Sequence, residues 1–282
     1  MSSLSAEATG REVRIQDGTI HFHDIGEGHP VVLLHGSGPG ATAWGNFAPN
    51  IAHLAQRFRV LAVDLPGWGG SEAVPMSERD HPGAVVRLLD ALGIDRAALV
   101  GNSMGGVVSL TTAALYKDRV SHLITMGPAA KPRPGLFAAG GGPSEGMKIL
   151  FQGYADPSVE TMAKLVDVMT YSAEFASEEL IKQRAEGAQA TPQHLEHFRE
   201  GVAEGRTPIT RWATPEELMG ITAPALLIHG RDDRVVHFES SLELVSLIPD
   251  SRLVLLNRCG HWAQLEHAAE FNRLVTDFVT HN

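Results

Sequence analysis

The segment from Ala97 to Tyr116, AALVGNSMGGVVSLTTAALY, constrains the fold more than any other part of the chain. A short apolar run ends at Gly101, a serine stands between Gly101 and Gly105, and an apolar stretch with helical character follows at once. The first run reads as a buried strand and the last as a helix. Glycines on both sides of Ser103 permit a sharp, strained strand-to-helix turn, which lifts the serine hydroxyl out of the sheet and sets it at a helix N-terminus. A glycine-rich turn with an incidental serine would account for the spacing, but not for the strand before it and the helix after it.

The same alternation recurs along the chain. Val31 to Gly36, Phe58 to Asp64 and His122 to Gly127 are further short apolar runs, and between them lie stretches such as Pro82 to Leu92 with apolar residues at helical spacing. That pattern predicts parallel strands joined by crossover helices. His21 and His23 read as neighbours on an early strand pointing to opposite faces, a poor metal pair. After Gly127 the pattern changes. KPRPGLFAAGGGP, from Lys131 to Pro143, suits neither strand nor helix and reads as a hinge. Ser144 to Arg211 then reads as several helices, with Ser158, Ser177 and Thr191 at N-cap positions. Strand character returns at Pro224 to Gly230 and Ser251 to Asn257, before an amphipathic helix from Gln264 to Val279. These readings predict a flexible tail over 1–10, an α/β core formed by 11–130 and 213–282, and a helical lid over 131–212.

Composition narrows the partners. The formal charge of -10 and the lack of a Lys/Arg run argue against nucleic acid. An anionic substrate would need a local cation. Cys259 is the only cysteine, so neither an intramolecular disulfide nor a thiolate metal cluster is available, and it reads as a small buried residue. No stretch approaches the roughly 18 apolar residues of a membrane span, and the first ten residues lack the pattern of a secretory signal, so the expected compartment is the cytoplasm.

A serine hydroxyl is a weak nucleophile near neutral pH and needs a base, which in turn needs an orienting carboxylate. His261, in Arg258-Cys259-Gly260-His261-Trp262, follows the last strand and is the candidate base. Asp232 and Asp233 both follow the strand that ends at Gly230, and spacing alone does not separate them. Attack on a carbonyl also requires N–H groups waiting for the developing oxyanion. Met104, next to the serine, supplies one candidate, and Ser37 in the glycine-rich turn His35 to Gly40 supplies the other. That turn lacks the spacing of a phosphate loop.

Four strings carry a resemblance to a known family: HGSGPGATAWGNF (His35 to Phe47), GNSMGG (Gly101 to Gly106), GRDD (Gly230 to Asp233) and CGHWAQLEHAAEFNRLV (Cys259 to Val275). They resemble the meta-cleavage product hydrolases, which hydrolyse a carbon–carbon bond in vinylogous diketones formed by extradiol ring cleavage of catechols. The resemblance covers nearly the whole chain and is weakest in the lid. It implies the α/β-hydrolase fold, a mostly parallel sheet flanked by helices with an inserted helical lid, and the chain order Ser103, Asp233, His261, since the family places the acid at the end of G-x-x-D.

It also implies that Asn46, Asn102, Arg184 and Trp262 bind substrate. Arg184 would grip the carboxylate of a 2-hydroxy-6-oxo-hexa-2,4-dienoate, and the two Asn amides would bind the oxygens of the dienol. Each has a plainer reading: Arg184 as an exposed residue paired with Glu179 or Glu186, Asn46 as a helix cap, Asn102 as a brace for the turn, and Trp262 as packing. The resemblance further implies no metal or organic cofactor, a small-molecule dienoate as partner, and a homo-oligomer, dimer or higher. An esterase or lactonase with the same triad, or a ligand receptor on the same fold, are the rival readings. Two departures stand out. Val235-Val236-His237 replaces a run ending in proline, and His229, expected in the pocket wall, stands where many relatives carry an aromatic residue. Substrate preference would depend on packing around Phe137, Leu150, Phe151, Met162 and Met169.

Overall fold

The computed structural model describes residues 4–16, 18–128 and 142–282. Eight strands form one sheet: β1 (Gly10–Ile15), β2 (Gly18–Ile25), β3 (Pro30–Leu34), β4 (Arg59–Val63), β5 (Ala97–Asn102), β6 (Val120–Met126), β7 (Ala225–Gly230) and β8 (Ser251–Leu256). Their spatial order is β1-β2-β4-β3-β5-β6-β7-β8. β2 pairs antiparallel with β1 and β4, and every other pairing is parallel. The expected α/β architecture with a mostly parallel sheet is therefore what the chain adopts.

Helices on both faces bury the central strands, which is why those strands are continuous apolar runs instead of alternating ones. Every residue of β5, β6 and β7 is buried. Successive side chains still point to opposite faces. Val31 and Leu33 join Phe47, Ile51, Phe271 and Val275 under the helices Ala43–Leu54 and Ala268–His281. Val32 and Leu34 join the other cluster, which runs on without a break into Leu150, Met162, Leu165 and Phe198.

Those last residues belong to the segment between β6 and β7, which forms helices Glu145–Ala155, Val159–Met169, Glu178–Ala190 and Pro192–Ala203. Ser158 and Ser177 cap as expected, each hydroxyl accepting a backbone N–H of the first turn, and Ser144 does the same. Thr191 stands at a cap position but does not cap: its hydroxyl donates back to Gly187 O at 3.2 Å, in the preceding helix. The hinge expected over 131–143 falls outside the described residues as far as 141, as does Phe137.

Three other expectations change. Residues Ala6–Thr9 form a helical turn capped by Ser5, and Gly10 already begins β1, so the tail expected over 1–10 does not extend across these residues. The terminal helix is broken at His267 into Ala263–Glu266 and Ala268–His281. His21 and His23 share a face, as residues two apart on a strand do, with ring centroids 5.0 Å apart. His23 Nδ1 lies 3.0 Å from the Thr9 hydroxyl, and His21 Nδ1 lies 2.9 Å from Asp64 Oδ2.

Asp64, buried at the end of β4, links three segments. It accepts from His21, from Ala43 N at 2.6 Å and from Gly70 N at 2.9 Å, and so fixes the helix start that follows the His35 to Gly40 turn. Burial opposes its charge, but these bonds and the nearby His35 more than compensate and hold its carboxyl below the usual range. The bond from Asp64 raises His21 against the effect of burial. A lowered acid stabilises the fold above its unfolded value and loses that contribution as pH falls; a raised histidine stabilises it below its unfolded value and loses it as pH rises. The stability gap between the native protein and His21→Gln, measured by urea unfolding, should therefore be widest between about pH 4 and 6.5 and should narrow above pH 7.

Candidate active site

Ser103 sits between β5 and the helix Met104–Leu115 with φ 53° and ψ -116°. A positive φ is unusual for serine and costs on the order of 1–3 kcal/mol. The surroundings enforce it. The Ser103 N–H donates to Met126 O on β6 at 2.8 Å, and its carbonyl accepts the first helical bond, from Val107 N at 3.1 Å. The flanking glycines fit only as glycines. A Cβ on Gly101 would lie 2.2 Å from Gly105 O, and one on Gly105 would lie 2.1 Å from Leu34 O.

His261 follows β8, and its Nδ1 lies 2.7 Å from Asp233 Oδ2. The other carboxylate oxygen, Oδ1, accepts the N–H groups of Val235 and Val236 at 2.7 and 2.9 Å. Asp232 instead lies with its Oδ1 3.4 Å from Arg231 Nη2. Geometry thus brings Asp233, and not its neighbour, to the histidine. Burial works against the Asp233 charge, but His261 and His229 beside it outweigh that penalty and hold the carboxyl far below its ordinary value. Burial likewise pushes the Cys259 thiol up, so this cysteine stays an uncharged, buried residue.

Ser103 and His261 open onto one cleft, which Gly36, Ser37, Asn46, Asn102, Arg184 and Trp262 also line, with Leu150, Leu165 and Met169 as its apolar side. Met104 is buried and is not part of that lining, but as the first residue of its helix it carries an N–H with no intrahelical partner. Arg184 is buried, with its guanidinium 4.7 Å from the Trp262 ring centroid and Nη2 unpartnered. Glu179 is engaged by Gln183, and Glu186 by Lys182, so the plain reading of Arg184 as an exposed ion pair does not hold. Burial pulls Arg184 down to about 10, and it remains a cation at neutral pH.

The two asparagines differ. Asn102 Nδ2 donates to Met126 O and His261 O, both at 3.3 Å, which makes it a brace between the turn and the histidine loop; its Oδ1 has no partner. Asn46 lies inside its helix, whose cap is Thr42, and its Oδ1 accepts from Gln264 Nε2 at 3.2 Å. His229 corrects an expectation: it is fully buried within β7 and lines no part of this cleft. A larger hollow lies among Val107, Thr111, Trp212, Leu218, Glu243 and Leu244, and no serine, cysteine or histidine lines it. Among the described residues no group of three or more His, Cys, Asp or Glu is arranged to hold a metal ion, and no helix is long and apolar enough to cross a membrane.

Several contributors escape a motif search. Gln264 orients Asn46. Glu266 joins the inserted helices to the histidine loop, accepting from Tyr171 N, Ser172 N and Gly260 N. Met169 O accepts from His261 N at 2.8 Å and Trp262 N at 3.2 Å. Gly127 closes the back of the site: its φ is 51°, and a Cβ there would lie 2.9 Å from His261 Nδ1 and 3.1 Å from Asp233 Oδ2. In the sequence, only a single glycine directly after an apolar run hints at it. Gly127→Ala should displace the His261–Asp233 pair and lower kcat by about a hundredfold or more, while circular dichroism shows a folded protein.

The α/β-hydrolase fold family matches residues 29–268. The chain is 40% identical to 2-hydroxy-6-oxo-6-phenylhexa-2,4-dienoate hydrolase of Burkholderia cepacia over 99% of both chains. It is 39% identical to 2-hydroxy-6-oxononadienedioate/2-hydroxy-6-oxononatrienedioate hydrolase of Comamonas testosteroni, again over 99% of both. Among solved structures, the meta-cleavage product hydrolase CumD of Pseudomonas fluorescens IP01 superposes with a TM-score of 0.85 at 31% identity, over 96% of this chain and 98% of that one. The chain therefore belongs to the α/β-hydrolase family and, within it, to the meta-cleavage product hydrolases, serine-dependent enzymes that act on carbon–carbon bonds.

Proposed function

We propose that the protein hydrolyses the carbon–carbon bond of 2-hydroxy-6-oxo-hexa-2,4-dienoate-type ring-cleavage products, releasing a carboxylic acid and 2-hydroxypenta-2,4-dienoate. The observation that carries this reading is Arg184: a buried guanidinium with an unpartnered Nη2, lining the same cleft as Ser103 and His261. A buried cation without an anion is costly, and a substrate carboxylate supplies the missing partner. A neutral ester or lactone would leave it unpaired, which disfavours the esterase reading.

In this scheme residues 131–212 act as a lid over the core formed by 11–130 and 213–282. Arg184 holds the carboxylate against Trp262. Asn102 Oδ1 accepts the enol hydroxyl, and Asn46, held by Gln264, turns its amide to the same end of the substrate. Ketonisation moves the enol proton to the carbon next to the future break, with His261 as shuttle. That step creates the electron sink the cleavage needs. Ser103 then attacks the remote ketone while His261 takes its proton, and the N–H groups of Ser37 and Met104 receive the oxyanion. Cleavage leaves an acyl group on Ser103, which water hydrolyses with His261 as base. Asp233 keeps the imidazole oriented and offsets its charge. No step calls on a metal or an organic cofactor. On the same family resemblance we take the enzyme to be cytoplasmic and a homo-oligomer, dimer or higher.

Ser103→Ala should abolish steady-state loss of the yellow dienolate, by about four orders of magnitude. Arg184→Gln should raise KM for the dienoate about tenfold or more and leave KM for a neutral aryl ester nearly unchanged. Equal losses on both substrates would count against carboxylate capture.

A further inference from the structure

The catalytic carboxylate has a neighbour that the reaction scheme leaves unused. His229 precedes Gly230 at the end of β7, and its Nε2 lies 3.3 Å from Asp233 Oδ2, the same oxygen that His261 Nδ1 approaches at 2.7 Å. The side chains of His229 and Asp233 are 0% and 1% exposed, so no solvent stands between them. His229 Nε2 also lies 2.9 Å from Val236 O, and Nδ1 lies 2.7 Å from the Ser241 hydroxyl.

The partners fix the ring's protonation pattern. A carbonyl and a carboxylate oxygen both accept only, so Nε2 must carry a hydrogen. That N–H is directed at Val236 O, with Asp233 Oδ2 as its longer second partner. Ser241 can donate to Nδ1 or accept from it, so the ring keeps every bond whether neutral or charged. Val236 is tied in from both sides, since its own N–H donates to Asp233 Oδ1. The turn that carries the acid is thus clamped between His229 and its own backbone.

We infer that His229 is a positioning residue of the catalytic unit: its Nε2–H shares Asp233 Oδ2 with His261 and limits how strongly that oxygen stabilises a protonated His261. This rests on the roles proposed above for Asp233 and His261. An N–H beside a carboxylate oxygen draws electron density from it and weakens its other hydrogen bond. The N–H thus holds in check the bond that Asp233 Oδ2 makes to His261. Other ionisable groups around the triad are Asp232 and Arg234 on the same turn, Cys259 and Glu266 beside the histidine, His237 paired with Glu239, and Asp167 and Arg184 on the lid. They are unchanged by substitution at 229, so a shift there reports on the His229 contact.

The test is the pH dependence of kcat/KM for a ring-cleavage dienoate. His229→Phe keeps an aromatic ring but removes the N–H, and should move the acid limb up by about half a pH unit or more. His229→Gln restores a donor and should return the limb toward that of the native enzyme. An unmoved limb in a folded His229→Phe protein, or equal shifts in both variants, would overturn the inference. If the Phe variant does not fold, the native enzyme still decides: 15N-histidine NMR should find Nε2 of His229 protonated throughout the active pH range, and an unprotonated Nε2 would overturn it. Either failure leaves Ser103→Ala inactive, whereas an active Ser103→Ala would refute the underlying triad instead.

Discussion

Everything in this site hangs on one close approach of backbones. The helix Met104–Leu115 leaves β5 so abruptly that Gly101 and Gly105 touch each other and Gly105 touches β3, distances at which no side chain fits. Ser103 is left in a left-handed conformation that a serine does not choose by itself. The sheet holds it there through Met126, and the buried apolar runs on both faces hold the sheet. Strain of this kind persists only where the surrounding structure over-determines it. Here it points the hydroxyl into the cleft and leaves the first N–H groups of a helix free beside it.

The second dependence is the junction between the inserted helices and the histidine loop. Met169 O and Glu266 tie the end of the helix Val159–Met169 and the residues after it to Gly260, His261 and Trp262, while Arg234, on the turn that carries Asp233, bonds Asp167 and Thr170. The base and the roof of the cleft are therefore one mechanical unit. That arrangement carries Arg184 over Trp262, far from water, where its charge is felt strongly by anything lying in the cleft. The site couples an apolar wall of Leu150, Leu165 and Met169 to a single buried cation, a combination suited to a conjugated acid.

Much of this was legible because buried parallel strands and a serine elbow leave strong local signals. β3, β4, β5 and β7 are dominated by apolar runs, and Ser103 and His261 follow strands at their ends. What escaped depends on contacts between distant segments. In the β1–β2 hairpin, β1 buries only Ile15 and β2 alternates buried and half-exposed residues over its first half, which gives a weaker pattern. Asp232 and Asp233 are adjacent on a turn, where backbone angles and not spacing decide which one faces inward. Gly127 matters only because it abuts two residues more than a hundred positions away in the chain. Thr191 has the residue type of a cap but hydrogen-bonds backwards. His229 lies away from the pocket wall expected for it, because alternation along a fully buried strand says nothing about which buried neighbour a side chain meets.

The central claim is that Ser103 becomes covalently acylated during carbon–carbon cleavage. Rapid acid quench of the enzyme with a saturating dienoate, followed by peptide mass spectrometry, tests it directly. The account predicts an increase equal to the acyl fragment from the ketone side of the substrate, confined to the peptide that contains Ser103 and formed as fast as 2-hydroxypentadienoate appears. A burst of that product with no adduct, or an adduct on another residue, would contradict it.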